Sequence, residues 1–133
     1  MEKIHNDHFK MSEIGRGIWF DWQSVGFSAK NKQDIINLYE HILIFNGRIR
    51  CKDCGIHSTD YLVDTSDYIT KILTKSILTD SEVIDLFNRW LYEYHNAASL
   101  HSGKDSSKFP TYDEVAEFHA DFKVCEAGCS GSH

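Results

Sequence analysis

Apolar residues recur at three- and four-residue intervals along most of this chain, and no run alternates strictly between apolar and polar, so the pattern predicts helices rather than strands. Ile14, Ile18, Trp22 and Val25 form one stripe of a first helix over residues ~12–29, with Ser12 as its N-cap and Glu13 just inside. Ile35, Leu38, Tyr39, Ile42 and Phe45 repeat the spacing over ~31–46, and Asn46-Gly47 ends that helix. A third, short helix is expected from Cys51 to Leu62. The stretch Ser66–Leu78 is ambiguous: Tyr68, Ile69, Ile72 and Leu73 suit a helical turn or two, but its threonines compete for backbone hydrogen bonds. Thr79-Asp80-Ser81-Glu82 reads as a capping box. The helix behind it carries Val83, Phe87, Leu91, Tyr94, His95 and Ala98 and reaches Leu100. His101 to Lys108 reads as a polar loop, and Thr111 caps a last short helix carrying Tyr112, Val115, Phe118 or His119, and Phe122.

These elements describe an all-α domain: a four-helix bundle of up-and-down topology with a short fifth helix across it. A single proline in 133 residues leaves little room for a chain of short strands and turns. Residues 1–11 are an N-terminal extension, 12–122 the domain, and 123–133 a small, polar, flexible tail carrying Cys125 and Cys129. The net charge of −6 argues against a nucleic-acid partner, and Arg48-Ile49-Arg50 is too short a basic run to reverse that. No apolar stretch approaches the ~20 residues that span a bilayer, and the N-terminus lacks the apolar segment of a signal peptide. The expected location is therefore cytoplasmic, on the reducing side of a membrane. Four cysteines there read as redox-active or metal-binding rather than as passive bridges.

Cys51-Lys52-Asp53-Cys54 opens a helix, where backbone N–H groups and the helix dipole favour a thiolate, and Arg50 and Lys52 add positive charge. The motif alone admits three readings. One is a disulfide that opens and closes. A second is zinc held by Cys51, Cys54, Cys125 and Cys129, with His57 or His133 able to replace one thiolate, although about seventy residues between the pairs exceeds the usual zinc-module spacing. The third is thioredoxin chemistry, which wants a strand before the motif, where Ile42 to Arg50 reads as a helix end.

Three motifs in order narrow the choice: Gly15-Arg16-x-x-Trp19, Cys51-x-x-Cys54 with His57 behind it, and Trp90 followed by His95-Asn96. Together, from about Gly15 to Tyr112, they resemble the Erv/ALR family of FAD-dependent sulfhydryl oxidases, in particular its short viral members. The resemblance implies a helical bundle holding FAD, with the disulfide beside the isoalloxazine. Cys54 would be the cysteine nearest the flavin and Cys51 the one attacked by incoming thiolates. Trp19 would line the flavin pocket. Gly15 and Arg16 would lie near the phosphate and ribose, while His95, Asn96 and Ser99 would face the adenine. Lys104 would neutralise phosphate charge, and Tyr112 is a further candidate for the pocket. His95 and Ser99, four residues apart, share a helix face.

Where the family commonly has a histidine four residues after the first tryptophan, this chain has Gln23; Arg50 stands where the family often has proline, and Ser99 where it has a second asparagine. The activity implied is oxidation of protein dithiols to disulfides, with electrons passing through Cys51 and Cys54 to FAD and on to O2, giving hydrogen peroxide. The resemblance also implies a homodimer and, for a viral protein, work in the host cytoplasm or virion. Cys125 and Cys129 would form a shuttle disulfide in the tail. A catalytically degenerate relative and a zinc-stabilised interaction module remain as alternatives. Trp90 reads as core, His57 as a supporting residue, and His41, His101 and His119 as structural.

Overall fold

The computed structural model describes residues 11–49 and 51–123, with side chains over 16–49 and 51–120. Among the described residues, five α-helices and one short 3-10 turn account for the regular structure, and no strand occurs. They are α1 Met11–Ser28, α2 Lys32–Asn46, α3 Lys52–Thr74, α4 Asp80–His101 and α5 Tyr112–Lys123, with the 3-10 turn at Ser106–Lys108. The described residues are therefore all-α.

Caps fix most of the starts. Asn31 accepts the Asp34 backbone N–H at 3.0 Å and opens α2. Thr79 and Glu82 form the expected capping box of α4. Thr111 and Glu114 exchange the same pair of bonds, at 3.2 and 3.0 Å, ahead of α5. α4 ends in a Schellman turn: Gly103 N–H donates to Leu100 O at 3.0 Å, Lys104 N–H to Ser99 O at 3.0 Å, and Gly103 adopts φ 87°. That positive φ is open to glycine at no steric cost, and the turn folds Lys104 back over Ser99.

α4 is the spine. It packs on α1, α2 and α3, α2 also meets α1 and α3, and α5 lies on α1. Val83, Phe87 and Leu91 of α4 are fully enclosed, together with Ile35 and Ile42 of α2 and Ile69 of α3. Trp22, Leu38, Leu62, Ile72, Trp90 and Tyr94 complete the core. α1 and α4 touch at Gly26, whose carbonyl accepts from Asn88 Nδ2 at 2.9 Å. A Cβ built on Gly26 would stand 2.2 Å from Asn88 Oδ1, so only glycine allows this approach. No helix among the described residues is long and apolar enough to cross a membrane.

Three expectations need correction. The third helix does not stop at Leu62; it runs unbroken to Thr74. Leu62, Ile69 and Ile72 are buried on one face with Thr65 between them, and that burial outweighs the weak propensity of the threonines. Of the threonines expected to weaken this stretch, Thr74 bonds back to the helix, to Thr70 O at 2.7 Å, as do the neighbouring hydroxyls of Thr65, to Tyr61 O at 2.8 Å, and Ser66, to Val63 O at 2.9 Å. Val25 is 47% exposed, because Trp22, Gln23 and Gly26 take the inner face of α1. Ser12 lies inside α1 rather than at its cap. The extension before residue 11, Arg50, and the tail with Cys125 and Cys129 lie outside the described residues, as does His133.

Candidate active site

Cys51 is the N-cap of α3, and its Sγ accepts the backbone N–H of Cys54 at 3.4 Å. The two cysteines are unbridged. The Cys54 thiol also hydrogen-bonds Cys51, which draws the Cys51 thiol below its ordinary pKa; the two backbone N–H groups of the first turn assist. The same bond, with burial and the neighbouring charge, pushes the Cys54 thiol up to about 11. The pair is thus asymmetric: negative charge settles on Cys51 and the proton stays on Cys54.

Cys54 lines a cavity of about 240 Å³. Trp19 and Trp22 of α1, Phe45 of α2 and Tyr94 of α4 supply aromatic walls, and His57, Ser58, His95, Ser99, Arg16 and Lys104 add polar groups. Tyr94 is held by a hydrogen bond with Ser58 and by stacking on Tyr61 at 4.9 Å. Burial raises its phenol pKa, so it is a neutral wall. A second cavity of about 540 Å³ lies between α1, α4, α5 and the segment at Phe109 and Pro110. The two share Arg16, Trp19, His95, Ser99 and Lys104, so they form one trough in two parts. Together they fall within the ~300–1,000 Å³ common to ligand sites.

His95 stands where the parts meet. Its ring stacks on Trp19 with centroids 4.7 Å apart and planes 14° from parallel. A flat ring placed in the trough would meet their outer faces, since insertion between them would have to part the pair. Gln23 Nε2 lies 3.2 Å from His95 Nδ1, and Gln23 Oε1 lies 3.4 Å from His119 Nε2. His119 Nδ1 is in turn 3.2 Å from Ser24 Oγ. Gln23 and His119 are both buried. Burial, and after it the Lys104 ammonium, lowers the His95 pKa to about 4, so the ring is neutral at pH 7.

The residues singled out in the sequence divide clearly. Cys54, Arg16, Trp19, His95, Ser99 and Lys104 line the first cavity; Gln23 and Asn96 line the second. Cys51 sits one helical turn before Cys54 and outside both linings. Gly15 belongs to the first turns of α1, next to Arg16. Tyr112 lines neither cavity: its ring lies under the Arg89 guanidinium at 4.3 Å, its hydroxyl reaches Asp85 at 3.3 Å, and it packs on Phe27 and Tyr92. Trp90 is core, with its indole N–H on Thr65 Oγ1 at 3.0 Å.

Sequence reasoning missed two contributors, His101 and His119, and gave a third, His57, only a supporting role behind the cysteines. His57 and His101 stack at 4.1 Å on the cavity wall, and His101 Nε2 lies 3.2 Å from Asp53 Oδ2, tying the end of α4 to the cysteine turn. His57, three residues after Cys54, shared its helix face and so could have been placed there. His119 reaches Gln23 from the far end of the chain, which no local spacing reveals. Among the described residues, no group of three or more histidines, cysteines and acids could hold a metal ion.

No protein-family model, curated protein or solved structure matches this chain.

Proposed function

We propose that this chain is an FAD-dependent sulfhydryl oxidase of the Erv/ALR type, which oxidises protein dithiols and delivers the electrons to O2. One observation carries the reading: the buried-side sulfur of a helix-capping dithiol shares a cavity with a stacked Trp19–His95 pair and with the cations Arg16 and Lys104. The residues fit FAD on chemical grounds. Aromatic walls suit a flat heterocyclic ring, two cations suit a pyrophosphate, and a two-part trough suits a dinucleotide.

Cys51 Sγ, at the cap, is the sulfur that incoming thiolates meet. A substrate thiolate attacks it in the oxidised pair, the Cys51–Cys54 bond breaks, and Cys54 leaves as the thiolate. A second substrate thiolate attacks the mixed disulfide and displaces Cys51, so the substrate gains a disulfide and the pair is left with two electrons more. Cys54 then takes up a proton and donates it in the hydrogen bond to Cys51, as in the dithiol described above. Passing the pair of electrons onward requires Cys54 to give up that proton, and the hydrogen bond to Cys51 offers a path for it. FAD bound beside Cys54 would supply the two-electron acceptor that no side chain provides and would hand the pair to O2, giving hydrogen peroxide.

The test is direct. The purified full chain should be yellow, release FAD on denaturation, and consume O2 with dithiothreitol. Cys54→Ser should keep the flavin and lose oxygen consumption. A colourless protein that takes up no added FAD refutes the reading.

A further inference from the structure

The four-residue chain Ser24–His119–Gln23–His95 is hydrogen-bonded in series, and hydrogen bonds in series constrain each other. The Gln23 amide has one accepting end and one donating end. Its Oε1 faces His119 Nε2, which must therefore carry the proton. His119 Nδ1 is then bare and accepts from the Ser24 hydroxyl. Gln23 Nε2 donates to His95 Nδ1, so that nitrogen is bare as well. The remaining proton of a neutral His95 ring is left on Nε2.

We infer that Gln23, oriented by His119 and Ser24, is a positioning residue that fixes His95 as the Nε2–H tautomer and so presents a neutral hydrogen-bond donor to the ligand trough. This deepens the reading given above and rests on it for the identity of the ligand. His95 Nε2 has no hydrogen-bond partner among the described residues, and His95 lines both parts of the trough. Arg16 and Lys104 line the same shared portion, so a phosphate oxygen of the dinucleotide, rather than the adenine that the resemblance implied, is the acceptor class best matched to this donor. A neutral donor adds direction there without adding to the repulsion between the two cations.

The arrangement has one alternative that also closes. Rotating the Gln23 amide by half a turn would put its NH2 toward His119 and its oxygen toward His95. Both histidines would then change tautomer, the Ser24 hydroxyl would turn to accept, and His95 would face the trough with a bare nitrogen. Because the links are in series, the reversal is all or none. The amide as it stands, with Oε1 toward His119 and Nε2 toward His95, therefore sets which face His95 shows.

Long-range 1H–15N spectra of the histidine rings distinguish the tautomers without any catalytic assay. At pH 7 the full chain should show His95 in the Nε2–H form, with Nδ1 as the unprotonated nitrogen. His119→Phe should release the Gln23 amide and give a mixture of His95 tautomers, together with weaker FAD binding, by about fivefold or more. Ser24→Ala, a milder change that leaves His119 in place, should move His95 in the same direction by less. Gln23→Leu should abolish the preference. His95 found as the Nδ1–H tautomer overturns the inference, as does a His95 signature unchanged in both Gln23→Leu and Ser24→Ala. Since the tautomer is read with or without flavin, this failure is separate from that of a protein which binds no FAD.

Discussion

Acidification should destabilise this protein in part through His95. Its pKa in the fold is about 4, held down by burial and by Lys104, against an ordinary 6.5. The sign follows from linkage. Between those two values the unfolded chain binds a proton that the folded chain does not, so stability is full above about 6.5 and is lost as pH falls toward 4. Each unit of pKa difference is worth ~1.4 kcal/mol, so lowering the pH from 7 to 5 should cost roughly 2 kcal/mol from this group before screening, and about 1–2 after allowing for its partial exposure. Burial lowers the His119 pKa in the same direction, so the wild-type curve alone would not isolate His95. The comparison is with His95→Phe, which keeps a flat ring against Trp19 and cannot titrate. Urea unfolding of both proteins, in the same cofactor state, at several pH values from 7 to 5 gives the difference curve. The variant is expected to be less stable at pH 7, with an idle Gln23 amide, and its disadvantage should shrink by 1–2 kcal/mol at pH 5. Parallel curves over that interval would refute the reasoning, because they would mean that His95 titrates alike in both states.

Other substitutions probe separate parts of the same structure. Gly26→Ala drives a methyl into Asn88 Oδ1 and breaks the Asn88–Gly26 bond, so the chemical-denaturation midpoint should fall by the equivalent of about 2–4 kcal/mol, whereas Gly17→Ala, with open space around it, should leave it within ~1 kcal/mol. Cys54→Ala removes the main cause of the depressed Cys51 pKa, so the pH midpoint of Cys51 alkylation by iodoacetamide should rise; an unmoved midpoint would mean that the backbone N–H groups alone hold the thiolate. Lys104→Met should raise the His95 pKa above about 4, by less than burial lowers it, and should weaken FAD binding; ring-proton titration by NMR and flavin release on dilution report the two effects.

The bundle was legible because its information is local. The stripe of α2, the Thr79–Glu82 box and the Asn46-Gly47 stop each lie within one element, and each is found where the pattern put it. The break expected after Leu62 failed for the opposite reason. Whether Thr65 weakens a helix depends on Trp90, whose indole N–H bonds its hydroxyl from another helix. The same division runs through the candidate site. Cys51 and Cys54 could be assigned to a helix start, and His95 and Ser99 to one face, from spacing alone. His119 could not be joined to Gln23, nor His101 to Asp53, because those contacts are made by the packing of α5 on α1 and of α4 on α3. Tyr112 shows the reverse error: an aromatic near the end of the domain was read toward the trough, but Arg89 and Asp85, one helical turn apart on α4, draw it to the outside.

The geometry of the cysteine turn bears most heavily on the proposed chemistry. A helix cap gives the two sulfurs different surroundings although only two residues separate them. Cys51 occupies the cap itself, where N–H groups of the first turn point at its sulfur, while Cys54 is one turn in, on the side that faces Trp19 and Tyr94. Asp53 lies between them in sequence and is engaged by His101, so its carboxylate is directed toward the end of α4. Charge is therefore favoured on the outer sulfur and disfavoured on the inner one, by the same hydrogen bond read from its two ends. A pair poised in this way turns its nucleophilic sulfur outward, and the chemistry proposed then needs the inner sulfur to lose its proton as it meets the acceptor, a transfer for which the hydrogen bond to Cys51 is placed. Exchanging the two surroundings would place the charge of the reduced pair in the trough and the protonated sulfur at the cap. The order of the pair along α3 is thus itself part of the mechanism proposed.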